Sequence, residues 1–292
     1  MGVLCSAKPS IKIADDDPKL KELKAILFCL SHIKFLSEKF RKSYKIYHKK
    51  DECLTDYFKE IIEKIWSESL TKIKGQNKIT FSIKKESKKF LGVIYKDRNF
   101  EETPKLLIEF IINRLHEELN KMENKNEQIE LISQGVKDIA AKEYFRYFKK
   151  NHQSIISDNF FMTEYTQTSC SFCQSNFFDF KFSIYKYYYL DQIYNYKCQI
   201  MQNSMIPLYD VNIYDCLNYD QKIIQAQDLC KRCRVIRDIY YKNNIFVSPK
   251  IIIFIFNNKT NVKFSYEEKI NISQFVEKQI NIIYDLIIFL QI

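Results

Sequence analysis

The stretch Thr168–Tyr187, TSCSFCQSNFFDFKFSIYKY, sets a Cys-x-x-Cys pair at the root of a run in which Phe178, Phe180, Phe182 and Ile184 alternate with Asp179, Lys181 and Ser183. A period of two is the pattern of a half-buried strand. A second thiol pair, Cys230 and Cys233, lies in DLCKRCRVI, with residues 174–229 between the two. Each Cys-x-x-Cys can fold as a tight knuckle that aims two sulfurs at one point, and four thiolates suit a tetrahedral Zn²⁺ at about 2.3 Å. Cys170, Cys173, Cys230 and Cys233 are therefore the expected ligands of a structural Zn²⁺. The chain between them is expected to run out and back as long strands pinned by the metal. Neither pair opens a helix inside a βαβ unit, which argues against thioredoxin-like redox chemistry. Cys29, Cys53, Cys198 and Cys216 stand alone and read as core or surface.

The metal reading agrees with the bulk composition. The chain has 292 residues, nine cysteines, four glycines and five prolines, and Ile, Lys, Asn, Phe and Tyr abound. It is long enough to bury a real core, as one large domain or two ordinary ones. The N-terminus lacks the apolar segment of a secretory signal, so a cytoplasmic, reducing setting is expected, where paired cysteines suggest metal rather than disulfides. A net charge of +10 admits nucleic acid or an acidic membrane as partner. The basic residues are interspersed with acidic ones and form no arginine stripe, so a solvated basic surface is the plainer reading and a zinc-dependent nucleic-acid binder the distant alternative.

Upstream of the thiols the period is helical. PKLKELKAILFCLSHIKFLSEKF places Leu23, Ile26, Leu27, Leu30, Ile33 and Leu36 on one face, predicting a single helix. TDYFKEIIEKIWSESLTKI repeats the pattern with Phe58, Ile61, Ile62, Ile65 and Ile73, and Thr55 is the expected cap. EETPKLLIEFIINRLHEELNKM does so again through Leu107, Phe110, Ile111, Leu115 and Leu119, with Pro104 in its first turn and Glu117 placed to pair with Lys121. A fourth helix is expected from Glu127 to about Lys150. From Ser154 the period turns toward two, and KIIIFIF after Pro249, apolar on both faces, reads as the middle of a sheet. QINIIYDLIIFLQI, Gln279–Ile292, reads as a further buried strand, too short for a membrane span. A helical half followed by a mostly β half means an α+β fold.

The first residues, MGVLCSAKPS, match the Met-Gly-x-x-x-Ser pattern of N-myristoylation, with Gly2 as acceptor once Met1 is removed. Cys5 beside the acyl chain is the expected palmitoylation site, and a second acyl group is what would make membrane anchoring stable. Residues 1–18 are read as acylation signal and linker, 19–152 as a helical subdomain, 153–247 as β fingers with the zinc site and 248–292 as a partial sheet.

The order of these features resembles the ubiquitin-specific protease family, papain-like cysteine proteases built as thumb, fingers and palm. ILFCLSHIKFLSEKF is similar to the helix after the family's cysteine box. LLIEFIINRLHEELN is similar to its next helix. AKEYFRYFKKNHQSIISDNFFMTEYTQTSCSFC resembles the start of the fingers, IYDCLNYDQKI with LCKRC the stretch to the second thiol pair, VSPKIIIFIFNN the strand after it, and YDLIIFLQI the palm strand before the histidine box. The resemblance implies a helical thumb, zinc-ribbon fingers and a truncated palm. It also implies ubiquitin or a ubiquitinated protein as partner.

The departures from the family fall on its chemistry. The cysteine box, Asn-x-Gly-Asn-Thr-Cys-Tyr, falls on Asp16–Ala25, DDPKLKELKA, and puts Lys21 where the nucleophile belongs. A lysine does not replace a histidine-activated thiolate, and the oxyanion-stabilising loop is missing as well. The segment usually reading Gln-Gln-Asp-Ala-His-Glu-Phe falls on EETPKLL, Glu101–Leu107, and the histidine box would lie beyond Ile292. His32, His48, His116 and His152 sit in helical stretches and read as surface or satisfied core residues. No catalytic residue is therefore assigned. Two readings stay open: a degenerate member that binds ubiquitin or a partner without cleaving it, favoured by the continuous helical N-terminus behind an acylation signal, or a fragment of an active thiol-dependent deubiquitinase whose boxes an incomplete gene model omits, favoured by the open sheet edge this would leave.

Overall fold

The computed structural model describes residues 26–42, 44–49, 53–71, 104–122, 132–134, 136–201, 210–258, 261–278 and 281–285. Gly2, Cys5, the segment Asp16–Ala25 with Lys21, and residues 101–103 fall outside that set. No described helix is long and apolar enough to cross a membrane. The described residues form two compact units, one of the residues up to Lys121 with Ser154–Ile156, the other of residues 122–153 and 157–285.

The first unit is helical. Residues 26–31 form a helix that turns at His32 before α1, Lys34–Lys42. The single helix expected here is thus broken, and Ser31 is the local cause. Its hydroxyl donates to the Phe28 carbonyl at 2.8 Å, while its own carbonyl accepts from Trp66 Nε1 at 3.1 Å and from Ser37 Oγ. A carbonyl so engaged is lost to the helical ladder. The apolar stripe survives the break, since Ile26, Leu27, Leu30, Ile33 and Leu36 are all buried. Helix α2, Leu54–Thr71, packs against both α1 and α3, Pro104–Leu119. Phe58, Ile61 and Ile62 of α2 and Leu107, Ile111 and Leu115 of α3 are all buried, and the Phe40 and Phe58 rings lie edge to face at 5.2 Å.

Thr55 does not cap α2. The buried Glu118 of α3 does so, accepting from Leu54 N at 2.9 Å and Thr55 N at 2.8 Å, while Arg114 Nε donates to the same carboxylate at 3.0 Å. A carboxylate at a helix N-terminus satisfies orphan amides and complements the helix dipole together. The Thr55 hydroxyl is left buried without a partner. Glu117 lies 4.0 Å from Arg114, one turn back in the helix.

The second unit is built on a five-stranded antiparallel sheet in the order β1-β3-β2-β6-β5. Its strands are β1, Ile132–Gln134; β2, Met162–Cys170; β3, Asn176–Ser183; β5, Ile224–Leu229; and β6, Ile236–Val247, with β4, Lys186–Tyr189, outside it. The alternation read from the phenylalanines holds in part: Phe178 and Phe180 are buried, whereas Phe182 is more exposed. Helix α4, Lys137–Asn151, covers this face by packing Ala140, Ala141 and Tyr144 on Tyr165, Phe178, Phe180 and Phe246. The helix expected from Glu127 therefore begins ten residues later, since Ile132–Gln134 pairs with β3 instead, Ile132 facing Asp179. The β-branched Ile132 and the Gly135 after this strand are weak helix formers, which leaves the segment free to join the sheet.

Between the thiol pairs the chain is not all strand, contrary to expectation. A short α5, Ser157–Phe160, lies before β2 and the first thiol pair, and between the pairs, after β4, come α6, Leu190–Met201, and α7, Ile213–Asp220. Helix α7 opens with a capping box: Asp215 N donates to Asn212 Oδ1 at 3.0 Å and Asn212 N to Asp215 Oδ2 at 2.9 Å. Strand β4 pairs in parallel with β7, Phe254–Asn257, and β8, Lys269–Asn271, pairs with β9, Ile283–Asp285. The KIIIFIF run thus contributes the buried Ile255 and Phe256, but among the described residues β7 has β4 as its one neighbour rather than lying mid-sheet.

A buried ionic knot ties β2, β4 and α7 together. Lys186 Nζ contacts Glu164 and lies 2.7 Å from Asp220 Oδ2, which also accepts from Tyr188 OH at 2.9 Å. Burial works to raise the Glu164 carboxyl, but the Lys186 ammonium outweighs it and holds the group below the usual carboxylate range.

Candidate metal centre

The two thiol pairs sit at the same end of the five-stranded sheet. Strand β2 ends on Cys170, and the chain turns through residues 171–173 before β3 begins at Asn176. Strand β5 ends on Leu229, Cys230 follows, and the chain turns through residues 231–233 before β6 begins at Ile236. Because Cys170 pairs with Ile239 and Leu229 with Ile236, the sheet register carries both turns to one place.

The turns are built alike. Gln174 N donates to the Cys170 carbonyl at 3.0 Å and Cys170 N to the Ser175 carbonyl at 3.2 Å; in the second turn Arg234 N donates to Cys230 O at 2.8 Å and Cys230 N to Val235 O at 3.1 Å. In each, the residue after the second cysteine takes a left-handed backbone, Gln174 at φ 53° and Arg234 at φ 62°. Side chains with a Cβ adopt that conformation at a cost of about 1 kcal/mol relative to glycine. Both turns tolerate this cost, and both curl back so that their two sulfurs face inward.

All four sulfurs lie within 4.8 Å of one another. Cys173 Sγ and Cys230 Sγ are 3.7 Å apart, close to the roughly 3.8 Å edge of a tetrahedron with metal–sulfur bonds of about 2.3 Å. Cys170 and Cys230 are buried with Ile239, and Cys173, Cys233 and Tyr241 pack against them. The surroundings supply donors for thiolates. Ser175 Oγ lies 3.2 Å from Cys173 Sγ and lowers that thiol to about 6; Arg232 Nη1 donates to the same hydroxyl at 3.0 Å. Cys233 N donates to Cys230 Sγ at 3.3 Å and lowers the second thiol, whereas hydrogen bonding to Cys173 pushes the Cys233 thiol up to about 12. Crowded sulfurs cannot all ionise unaided, and a cation between them removes the conflict. An all-sulfur donor set of this size, closed and half buried, can hold one metal ion.

The sequence matches the ubiquitin carboxyl-terminal hydrolase family over residues 23–289. The chain belongs to that family. Its fold agrees with solved structures of the SAGA Ubp8 DUB module. A chain of the yeast SAGA DUB module has a TM-score of 0.58 at 15% identity, covering 92% of this chain and 54% of that one. A variant Ubp8/Sgf11/Sus1/Sgf73 module gives 0.62 at 14% identity, with 98% and 59% covered, and the module bound to ubiquitin aldehyde gives 0.55 at 15%, with 90% and 55% covered. This hydrolase-family chain therefore spans between 54% and 59% of the length of the first two of these chains. No curated protein matches it by sequence.

Among the described residues, three histidines and two lone cysteines lie in hydrogen-bonded, ring-lined or buried positions. His32 Nδ1 lies 2.8 Å from the Phe28 carbonyl, with its ring tilted against that of Phe28 at 4.0 Å between centroids. His116 Nδ1 lies 2.7 Å from Ser154 Oγ in a buried pair, and Ser154 Oγ also accepts from Ile156 N. His152 is enclosed by the rings of Phe148, Phe161 and Phe182, and burial lowers its pKa. Burial pushes the Cys29 thiol up to about 12 and raises Cys216 as well, so neither is a ready nucleophile. Sequence reasoning found the sulfurs but not Ser175 or Arg232, although their places beside the cysteines in CSFCQS and CKRC were a usable signal.

Proposed function

We propose that this chain is a ubiquitin-binding domain that does not cleave its partner, with Zn²⁺ held by Cys170, Cys173, Cys230 and Cys233 as a structural clamp. The reading is supported by the family match over residues 23–289, taken with the sequence-based placement of the cysteine box on Asp16–Ala25, which puts Lys21 where the nucleophile belongs. The metal would hold the ends of β2 and β5–β6 together, so that the five-stranded sheet presents one surface. A related module has been solved bound to monoubiquitin. Gripping the globular body of ubiquitin is a broad-surface interaction that needs no thiol. Acylation at Gly2 and Cys5 would place the domain on a cytoplasmic membrane face.

Calorimetric titration of the zinc-loaded chain with mono-ubiquitin tests this. Saturable heat is expected, together with no release of fluorophore from a ubiquitin C-terminal amide. An absence of heat at hundreds of micromolar ubiquitin would remove the binding claim. Turnover of the amide would remove the claim of inactivity. The second reading, in which this chain is part of an active thiol-dependent deubiquitinase, predicts a cysteine box and a histidine box in frame in the flanking transcript. That second reading draws on the partial span of the neighbours' chains.

A further inference from the structure

The sequence KFRKSYKIYHKK, residues 39–50, carries Lys39, Arg41, Lys42, Lys45, Lys49 and Lys50 with no carboxylate among them. Lys39, Arg41, Lys42, Lys45 and Lys49 are exposed. Beside them lies a surface cavity of about 490 Å³ lined by Tyr44, Lys45, Ile46, Lys49, Asp56 and Lys59. Three ammonium groups there face one carboxylate, and that carboxylate, Asp56, already accepts from Tyr44 OH at 2.7 Å. Lys45 Nζ sits 4.9 Å from the centre of the Tyr47 ring and Lys59 Nζ 5.4 Å from that of Tyr44; cation–π contacts of this kind restrict the two lysines before any ligand arrives. Lys59 also lies 3.6 Å from Glu63, so its charge is shared. Tyr47, 39% exposed, offers an aromatic ring of the type that settles at the level of lipid headgroups.

We propose that this face docks on an anionic membrane surface, with a headgroup phosphate seated among Lys45, Lys49 and Lys59. Charge complementarity favours an anion, and the N-terminal sequence favours a membrane as its source. A single myristoyl chain binds a bilayer only weakly, with an association constant of about 10⁴ M⁻¹, and one chain plus a polybasic patch is a sufficient anchor. Lysine outnumbers arginine here, and its compact point charge suits a headgroup phosphate better than the bidentate reading of base edges. The patch thus supplies the second membrane signal independently of Cys5. The proposal does not rest on the ubiquitin reading, since it concerns a different set of residues and a different ligand.

The test is co-sedimentation of the unacylated full chain with phosphatidylcholine vesicles, with and without phosphatidylserine. Binding is expected to the anionic vesicles alone and to weaken as salt is raised. Combining Lys45→Gln, Lys49→Gln and Lys59→Gln should lower the partition coefficient by about fivefold per lysine, on the order of a hundredfold for all three. A charge-matched control, Lys242→Gln, Lys250→Gln and Lys269→Gln, should retain wild-type partitioning. Unchanged far-ultraviolet circular dichroism checks that both variants fold. Equal losses in the two variants would reduce the effect to net charge and overturn the site. Absence of binding to anionic vesicles, or their displacement by millimolar inorganic phosphate, would overturn the membrane assignment. Tighter binding to duplex DNA than to the vesicles would also overturn it, in favour of nucleic acid.

Discussion

Replacing Glu118 with alanine should strongly destabilise the helical unit. The carboxylate accepts from Leu54 N, Thr55 N and Arg114 Nε at 2.8–3.0 Å, and its side chain is fully buried. Hydrogen bonds to a charged group contribute about 1.5–3 kcal/mol each, but three on one group are not additive, and the alanine variant also takes the nearer of two carboxylates from a guanidinium only 16% exposed. The expected loss is about 3–5 kcal/mol, in the range measured when one partner of a buried ion pair is removed. With a urea slope of about 2 kcal/mol per molar, the midpoint should fall by roughly 2 M. Trp66, the chain's one tryptophan, lies on α2 and reports this unit by fluorescence. Glu118→Gln should fall between, because one amide oxygen can still accept while its NH₂ opposes a donor. Thr55→Val provides the contrast. If Thr55 were the cap, this change would cost about 1 kcal/mol; with Glu118 as the cap and the hydroxyl buried without a partner, it should be neutral or stabilising. A loss under 1 kcal/mol for Glu118→Ala, or a clear cost for Thr55→Val, would refute the assignment.

Three further outcomes follow from the same geometry. Gln174→Gly and Arg234→Gly should each stabilise the zinc-loaded chain by about 1 kcal/mol in urea unfolding, because both residues hold a left-handed φ; destabilisation would show that their side chains matter more than the backbone. His152 is neutral in its aromatic cage, so its contribution is complete above the unfolded value near 6.5 and is lost as pH falls through the lower folded value; His152→Phe should flatten stability over that window, and an unchanged pH profile would count against the cage. Lys186→Met should cost about 3–5 kcal/mol by leaving Glu164 and Asp220 without their cation, and recovery of part of that loss on acidification would identify the stranded carboxylates, since Lys186 is the main group holding Glu164 charged, with the Ser183 hydroxyl and Lys181 assisting.

The features legible in the sequence were those fixed by short spacings. Cys-x-x-Cys closes a turn by itself, and the i, i+3, i+4 stripes of the helical half and the period of two in β3 are likewise local. The features that were not legible depend on partners far along the chain. Glu118 caps a helix 63 and 64 residues away, and nothing near Leu54 announces it. The strand at Ile132–Gln134 exists because β3 offers an edge, not because its own three residues demand one. Helix α7 is a different case: Asn212 and Asp215 form a capping box that the sequence displayed and that the aromatic-rich surroundings obscured. The break at Ser31 also needed a distant partner, the Trp66 indole.

The central claim is that four thiolates from two distant turns share one ion. Metal analysis of the purified chain, paired with the Cys230→Ser variant, tests it most directly. One equivalent of zinc per chain, lost in the variant together with the β-sheet signal, is the expected result. Less than half an equivalent in the unmodified chain, or full retention in the variant, would contradict it.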